Sequence, residues 1–217
     1  MSIKILSAEL GFVATNAYIV GDEASKQAIV IDPVDDAPRL QQMATDAGWQ
    51  IGLILATHAH FDHILASKAL KELTGAPFVA HRASEPWLQA LPHQGQRFGL
   101  GQFPSAAQPD RWLGDAPETV TLGAVTLETL YTPGHAPDHI AYFLRDEKTL
   151  FSGDCIFEMG IGRVDLPGGD YQQLMTTITE TIMPLGDDVR LLTGHGRETT
   201  IGRERQSNPF ILDYLGK

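Results

Sequence analysis

The sequence predicts a single α+β domain built on mixed sheets. Short β-branched apolar runs, separated by turn residues, recur along the chain. Fewer segments place apolar residues at helical spacing, and strands and helices come in runs rather than in strict βαβ alternation. The 217 residues, 43% hydrophobic and 20% charged, suit one soluble domain with a sizeable core and exclude a disordered chain.

Ile3–Leu10, residues 16–20 and Gln27–Ile31 are strand candidates, the last stopped by Asp32-Pro33. In residues 37–47, Leu40, Met43, Ala44 and Ala47 share a helical face, and Gly48 ends it. Residues 51–56 form a continuous apolar run, as expected of a strand buried on both faces. A helix from residue 63 or 64 to 73, a strand at 78–80 and a helix at 84–91 follow. Residues 92–109, rich in Gly, Pro and Gln, read as a long loop. Thr119–Leu122 and Val125–Tyr131 make a hairpin about Gly123, with further strands at Ile140–Leu144 and 149–152. Asp170 caps a helix through Leu174, Ile178 and Ile182. Residues 189–193 are a last strand and 209–215 a last helical turn or two.

The 16 Lys and Arg against 27 Asp and Glu give a net charge of -11. Such a surface repels phosphate backbones and anionic lipid, so neither nucleic acid nor a membrane is the expected partner. One cysteine makes no intrachain disulfide, and residues 1–10 lack a basic head followed by a long apolar run. A cytoplasmic protein is expected.

The densest chemical signal is Thr57-His58-Ala59-His60-Phe61-Asp62-His63, directly after the apolar run. Alternate side chains of an extended stretch share a direction, so His58, His60 and Asp62 can face one point. A turn into the next helix swings His63 towards a neighbouring point. Imidazole and carboxylate suit zinc, iron or manganese, and a set without thiolate favours catalytic over structural zinc. A solvated surface histidine cluster is the competing reading. Against it, His135, Asp154 and His195 stand at three later strand ends, each preceded by a glycine.

These residues resemble those of the metallo-β-lactamase superfamily. The phrases Thr132-Pro133-Gly134-His135-Ala136-Pro137-Asp138-His139 and Gly162-Arg163-Val164-Asp165-Leu166-Pro167, with Asn208-Pro209-Phe210, are similar to its glyoxalase II-like branch, particularly the short bacterial members. The resemblance implies a four-layer αββα sandwich with metals at one edge of two packed sheets. It implies one metal on His58, His60 and His135, a second on Asp62, His63 and His195, and Asp154 bridging them. Asp32 would support the cluster from behind, or serve only as a turn residue. Two divalent ions are implied, zinc first, with iron or manganese as alternatives.

The activity so implied is thioester hydrolysis, of S-lactoylglutathione or a related small molecule, by a hydroxide between the metals, with Asp62 its catalytic acceptor. The chain ends 22 residues after His195. It is therefore expected to lack the C-terminal helical domain that binds glutathione in full glyoxalase II. Arg163 is the candidate contact for a substrate anion, with a salt bridge to Asp165 as its alternative. A mononuclear iron persulfide dioxygenase is the rival on the same scaffold, resting on positions matching His58, His135 and Asp154; a metallohydrolase for another ester or lactone is a second. Cys155 reads as a small buried hydrophobe. His81, His93 and His139 read as structural or solvent-facing.

Overall fold

The computed structural model describes residues 2–216. They form two compact units, residues 2–114 with Val120–Thr126, and Asp115–Thr119 with residues 127–216. Among the described residues, no helix is long and apolar enough to cross a membrane.

The first unit runs β1 (Ile3–Leu10), β2 (Thr15–Asp22), β3 (Gln27–Ile31), α1 (Ala37–Asp46), β4 (Gln50–Leu55), α2 (Phe61–Ile64), α3 (Ser67–Thr74), β5 (Phe78–His81), α4 (Glu85–Gln94) and β6 (Arg111–Leu113). Its sheet has the order β1-β2-β3-β4-β5-β6. β1, β2 and β3 pair antiparallel, and β3 to β6 are parallel, so the sheet is mixed as expected. Leu40 of α1, Leu70 of α3 and Leu88 and Leu91 of α4 share one core with Ile19, Val30, Ile54 and Phe78 of the strands. Each such side chain contributes about 1.5–3 kcal/mol on burial. Ile29, Ile31 and Leu55, which alternate with those strand residues, are fully buried too, so the strands are apolar on both faces.

The second sheet has the order β14-β13-β10-β9-β8-β7. Its strands are β7 (Thr119–Leu122), β8 (Val125–Tyr131), β9 (Ile140–Leu144), β10 (Thr149–Gly153), β13 (Arg190–Thr193) and β14 (Thr199–Thr200). Between β10 and β13 lie the small ladder β11 (Ile156–Phe157) and β12 (Gly160–Ile161), then α5 (Tyr171–Thr176); α6 (Ile201–Ser207) and α7 (Pro209–Tyr214) close the chain. β8 and β10 each run antiparallel to β9, and β13 runs parallel to β10. The C-terminal ends of β8, β10 and β13 therefore share one edge, and His135, Asp154 and His195 follow those ends.

Several elements depart from expectation, each for a nonlocal reason. The helix expected to start at 63 or 64 is two, α2 and α3, because the Ala66 N–H donates to the Pro33 carbonyl (3.0 Å) and leaves the helical ladder. The expected loop 92–109 begins with helix: α4 passes through Pro92 to Gln94, and a 3₁₀ turn covers Gly95–Phe98. The segment capped by Asp170 is α5, followed by a π turn at Thr177–Ile182 and a 3₁₀ turn at Met183–Leu185. Thr177 Oγ1 donates to the Pro133 carbonyl (2.7 Å) within the π turn. Leu174, Ile178 and Ile182 still bury together, as their spacing requires.

Candidate metal centre

In the first unit the parallel pair β3–β4 delivers Asp32 and Thr57 side by side, and the Asp32 N–H donates to the Leu55 carbonyl (2.9 Å). The Asp32 carboxylate accepts from the Thr57 N–H (2.6 Å), the Thr57 hydroxyl (2.8 Å) and His63 Nδ1 (2.9 Å). Asp32 thus does more than turn the chain before Pro33. With the Thr57 hydroxyl proton on Asp32, Thr57 Oγ1 is left to accept from His58 Nδ1 at 3.1 Å. His58 Nε2 is thereby turned towards His60 Nδ1, 3.0 Å away. Asp62 and His63 lie in α2, where His63 Nε2 stands 3.5 Å from Asp62 Oδ2, and that oxygen accepts from Thr15 Oγ1 (2.9 Å).

The second unit brings together His135, Asp154 and His195. His135 Nδ1 donates to the Arg163 carbonyl (2.7 Å), so its Nε2 faces Asp154 Oδ2 at 3.5 Å. His195 Nε2 lies 3.4 Å from the same oxygen. The Asp154 N–H donates to His139 Nε2 (3.1 Å), which sets the His139 tautomer and places its Nδ1–H on Thr132 Oγ1 (2.8 Å). The glycines before these donors do three different things. Gly134 has φ 130°, and a Cβ there would sit 2.3 Å from the Leu174 nitrogen; Gly153 has φ 48°. Gly194 has no positive φ and instead donates its N–H to the Gly153 carbonyl (2.8 Å), tying the loop before His195 to the one before Asp154.

The donor chemistry of each half fits a cation. A neutral His63 donates its one ring N–H to Asp32, and a neutral His135 donates its own to the Arg163 carbonyl. The remaining lone pair of each ring then points at a carboxylate oxygen 3.5 Å away, an acceptor facing an acceptor. A divalent ion takes neutral imidazole and carboxylate together and relieves that opposition, and the hydrogen bond on the far nitrogen is the usual way a protein orients such a ring. All seven expected donors belong to His and Asp groups able to hold a metal ion. His58, His63, His135 and Asp154 are buried, while His60, Asp62 and His195 retain partial exposure.

Arg163 is exposed, and its guanidinium makes a two-pronged bond to Asp165 (2.8 Å each), which lowers the Asp165 carboxyl to about 2. The salt bridge that competed with an anion-binding role is thus the observed contact. Cys155 is buried, which pushes its thiol up to about 12, so it supplies neither thiolate ligand nor nucleophile. His139 and His81 are buried and His93 is exposed. Thr15, Thr57 and His139 are supporting groups that the sequence reading missed. Thr57 and His139 adjoin the donor phrases and were open to discovery there; Thr15 carries no local signal.

The glycine of Gly162-Arg163 has a steric role. A Cβ at Gly162 would lie 1.8 Å from the Asp154 carbonyl oxygen and 3.1 Å from the His135 ring. Gly162→Ala is expected to cost about 1–3 kcal/mol and to reduce metal uptake, read by denaturant melts and metal analysis of one preparation. Wild-type values in both would refute this role.

The sequence profile of the metallo-beta-lactamase superfamily matches residues 10–195. The chain is 39% identical over 197 residues to a protein of Haemophilus influenzae named hydroxyacylglutathione hydrolase GloC, covering 90% of this chain and 92% of that one. Among solved structures it resembles BLEG-1 B3 metallo-beta-lactamase, with a TM-score of 0.89 and 36% identity over 96% of this chain and 99% of that one. It also resembles TTHA1623 in a di-iron-bound form, with a TM-score of 0.84 and 32% identity over 94% and 99% of the two chains.

Proposed function

The chain belongs to the metallo-beta-lactamase superfamily and has its α+β fold, and from that premise we propose that it is a dinuclear metal-dependent hydrolase of thioesters. The observation that carries the proposal is the placing of an imidazole nitrogen 3.5 Å from a carboxylate oxygen in each half, His63 with Asp62 and His135 with Asp154, each ring donating from its other nitrogen. In this reading His58, His60 and His135 hold one divalent ion, Asp62, His63 and His195 hold the other, and Asp154 bridges. Zinc is the first candidate; the di-iron form of TTHA1623 keeps iron beside it, and manganese suits the same donors.

Bound divalent ions supply Lewis acidity, which brings the pKa of a water to about 7 and polarises a carbonyl. The protein does the rest. Asp62, its Oδ2 held by Thr15, would accept a hydrogen bond from the attacking hydroxide and so orient it. Thr57 and Asp32 keep His58 and His63 in the tautomers that offer Nε2. Arg163 remains the proposed anion contact, and a substrate carboxylate takes the place of Asp165 on its guanidinium.

The thioester assignment leans on the likeness to hydroxyacylglutathione hydrolase GloC. Zinc-loaded protein is expected to release free thiol from S-lactoylglutathione and to stop when a chelator is added. Absence of turnover on that compound and across a panel of thioesters and esters would overturn the proposal.

A further inference from the structure

α2 begins at Phe61, and its N-cap residue is His60. The first N–H groups of any helix lack an internal partner, and a side chain at the N-cap position usually supplies one. His60 makes no side-chain capping bond. Its imidazole nitrogen is turned instead towards His58 Nε2, 3.0 Å away. A ring offered to a metal cannot also cap its own helix.

The first N–H of the helix is met from 33 residues away in the chain, where Gln94 Oε1 accepts from the Phe61 N–H at 2.9 Å. The same amide donates from Nε2 to the Ala59 carbonyl (3.1 Å) and to the Trp87 carbonyl (3.0 Å). One acceptor and two donors match one N–H and two carbonyls, so the orientation of the amide is fixed by its neighbours. Gln94 therefore grips the backbone on both sides of His60. Its third bond ties the grip to α4, whose Trp87 ring meets the His60 ring edge-on at 5.9 Å between centroids.

Resting on the dinuclear reading above, we propose that Gln94 is a positioning residue for the metal donor His60: it accepts from the first N–H of α2 and holds the backbone from Ala59 to Phe61 so that the imidazole is oriented to bind an ion. Gln94 is not one of the seven proposed donors; its hydrogen bonds are all to backbone. Gln94 lies at the end of α4, past Pro92, and its bond from Nε2 to the Trp87 carbonyl ties it to the body of that helix.

The test is cobalt(II) titration of the full-length protein, read by visible absorption and by competition with a chelator. Gln94→Met keeps the volume and removes all three bonds. It is expected to fold by circular dichroism, to change the cobalt spectrum, and to weaken the affinity of one of two ions by about 10- to 100-fold. Gln94→Glu keeps the acceptor for the Phe61 N–H and loses both donors, and should fall between wild type and Gln94→Met. It also carries the test should the methionine variant not fold. A merely structural role would lower thermal stability and leave the spectrum and affinity of the folded protein unchanged, and that result overturns the proposal. Wild-type protein that takes up fewer than two cobalt ions instead defeats the dinuclear reading. Wild type and variants that take up two ions with identical spectra defeat the Gln94 assignment alone.

Discussion

Asp62→Ala is expected to lower thioester hydrolysis by about 100- to 10,000-fold and to leave the chain folded. Asp62 sits in α2, partly exposed, so its removal opens no cavity in the core. What disappears is a metal donor and the hydrogen-bond acceptor for the attacking hydroxide, together with the carboxylate oxygen that Thr15 Oγ1 and His63 Nε2 both face. kcat/KM measured at saturating zinc, with circular dichroism on the same sample, separates lost chemistry from lost fold. Asp62→Asn should be nearly as impaired, because an amide is a poorer hydrogen-bond acceptor and a weak ligand. Full activity in either variant would end the assignment of Asp62.

The second large effect belongs to a residue that touches no substrate. Asp32→Ala leaves the Thr57 N–H, the Thr57 hydroxyl and the His63 Nδ1–H without their acceptor. Both residues are buried. Each buried donor so stranded costs about 1–3 kcal/mol, so a fall of several kcal/mol in unfolding free energy is expected. Metal affinity should drop by about 10- to 100-fold as the His63 and His58 rings lose their fixed tautomers. Asp32→Asn retains one acceptor oxygen and should recover part of both losses. Thermal melts of the apo and zinc-loaded forms distinguish the two: the variant should lose stability in both and gain less than wild type from zinc. A variant with the wild-type melting temperature would reduce Asp32 to the simple turn residue its place before Pro33 first suggests.

Much of this architecture is legible along the chain, and the rest fails for identifiable reasons. β1, β3, β7, β8 and β9 lie where their β-branched runs place them, because each run ends on a turn residue or at a hairpin glycine. β6, β11, β12 and β14 span two or three residues, too few for any periodicity to register. α6 is missed because its buried face is Ile201, Gly202 and Glu204, where an amphipathic pattern would call for an apolar side chain. Glu204 is buried because Thr199 Oγ1, the Met159 N–H and Asn208 Nδ2 all donate to it. The same asymmetry holds at the metal centre. The donors are visible as residue types in dense phrases, whereas what holds them comes from far along the chain. Thr15 reaches Asp62 across 47 residues and Gln94 reaches Phe61 across 33, and neither has a neighbour in sequence that announces its role.

The central claim is that seven side chains hold two divalent ions, and metal counting tests it most directly. Protein purified without chelator, reconstituted with zinc, iron or manganese and freed of excess, is to be assayed for all three metals against protein concentration. The account predicts close to two ions per chain, falling to one or none when His58 or Asp154 is replaced by alanine. A reproducible single iron per chain, with oxygen uptake on glutathione persulfide and no thioester cleavage, would contradict it.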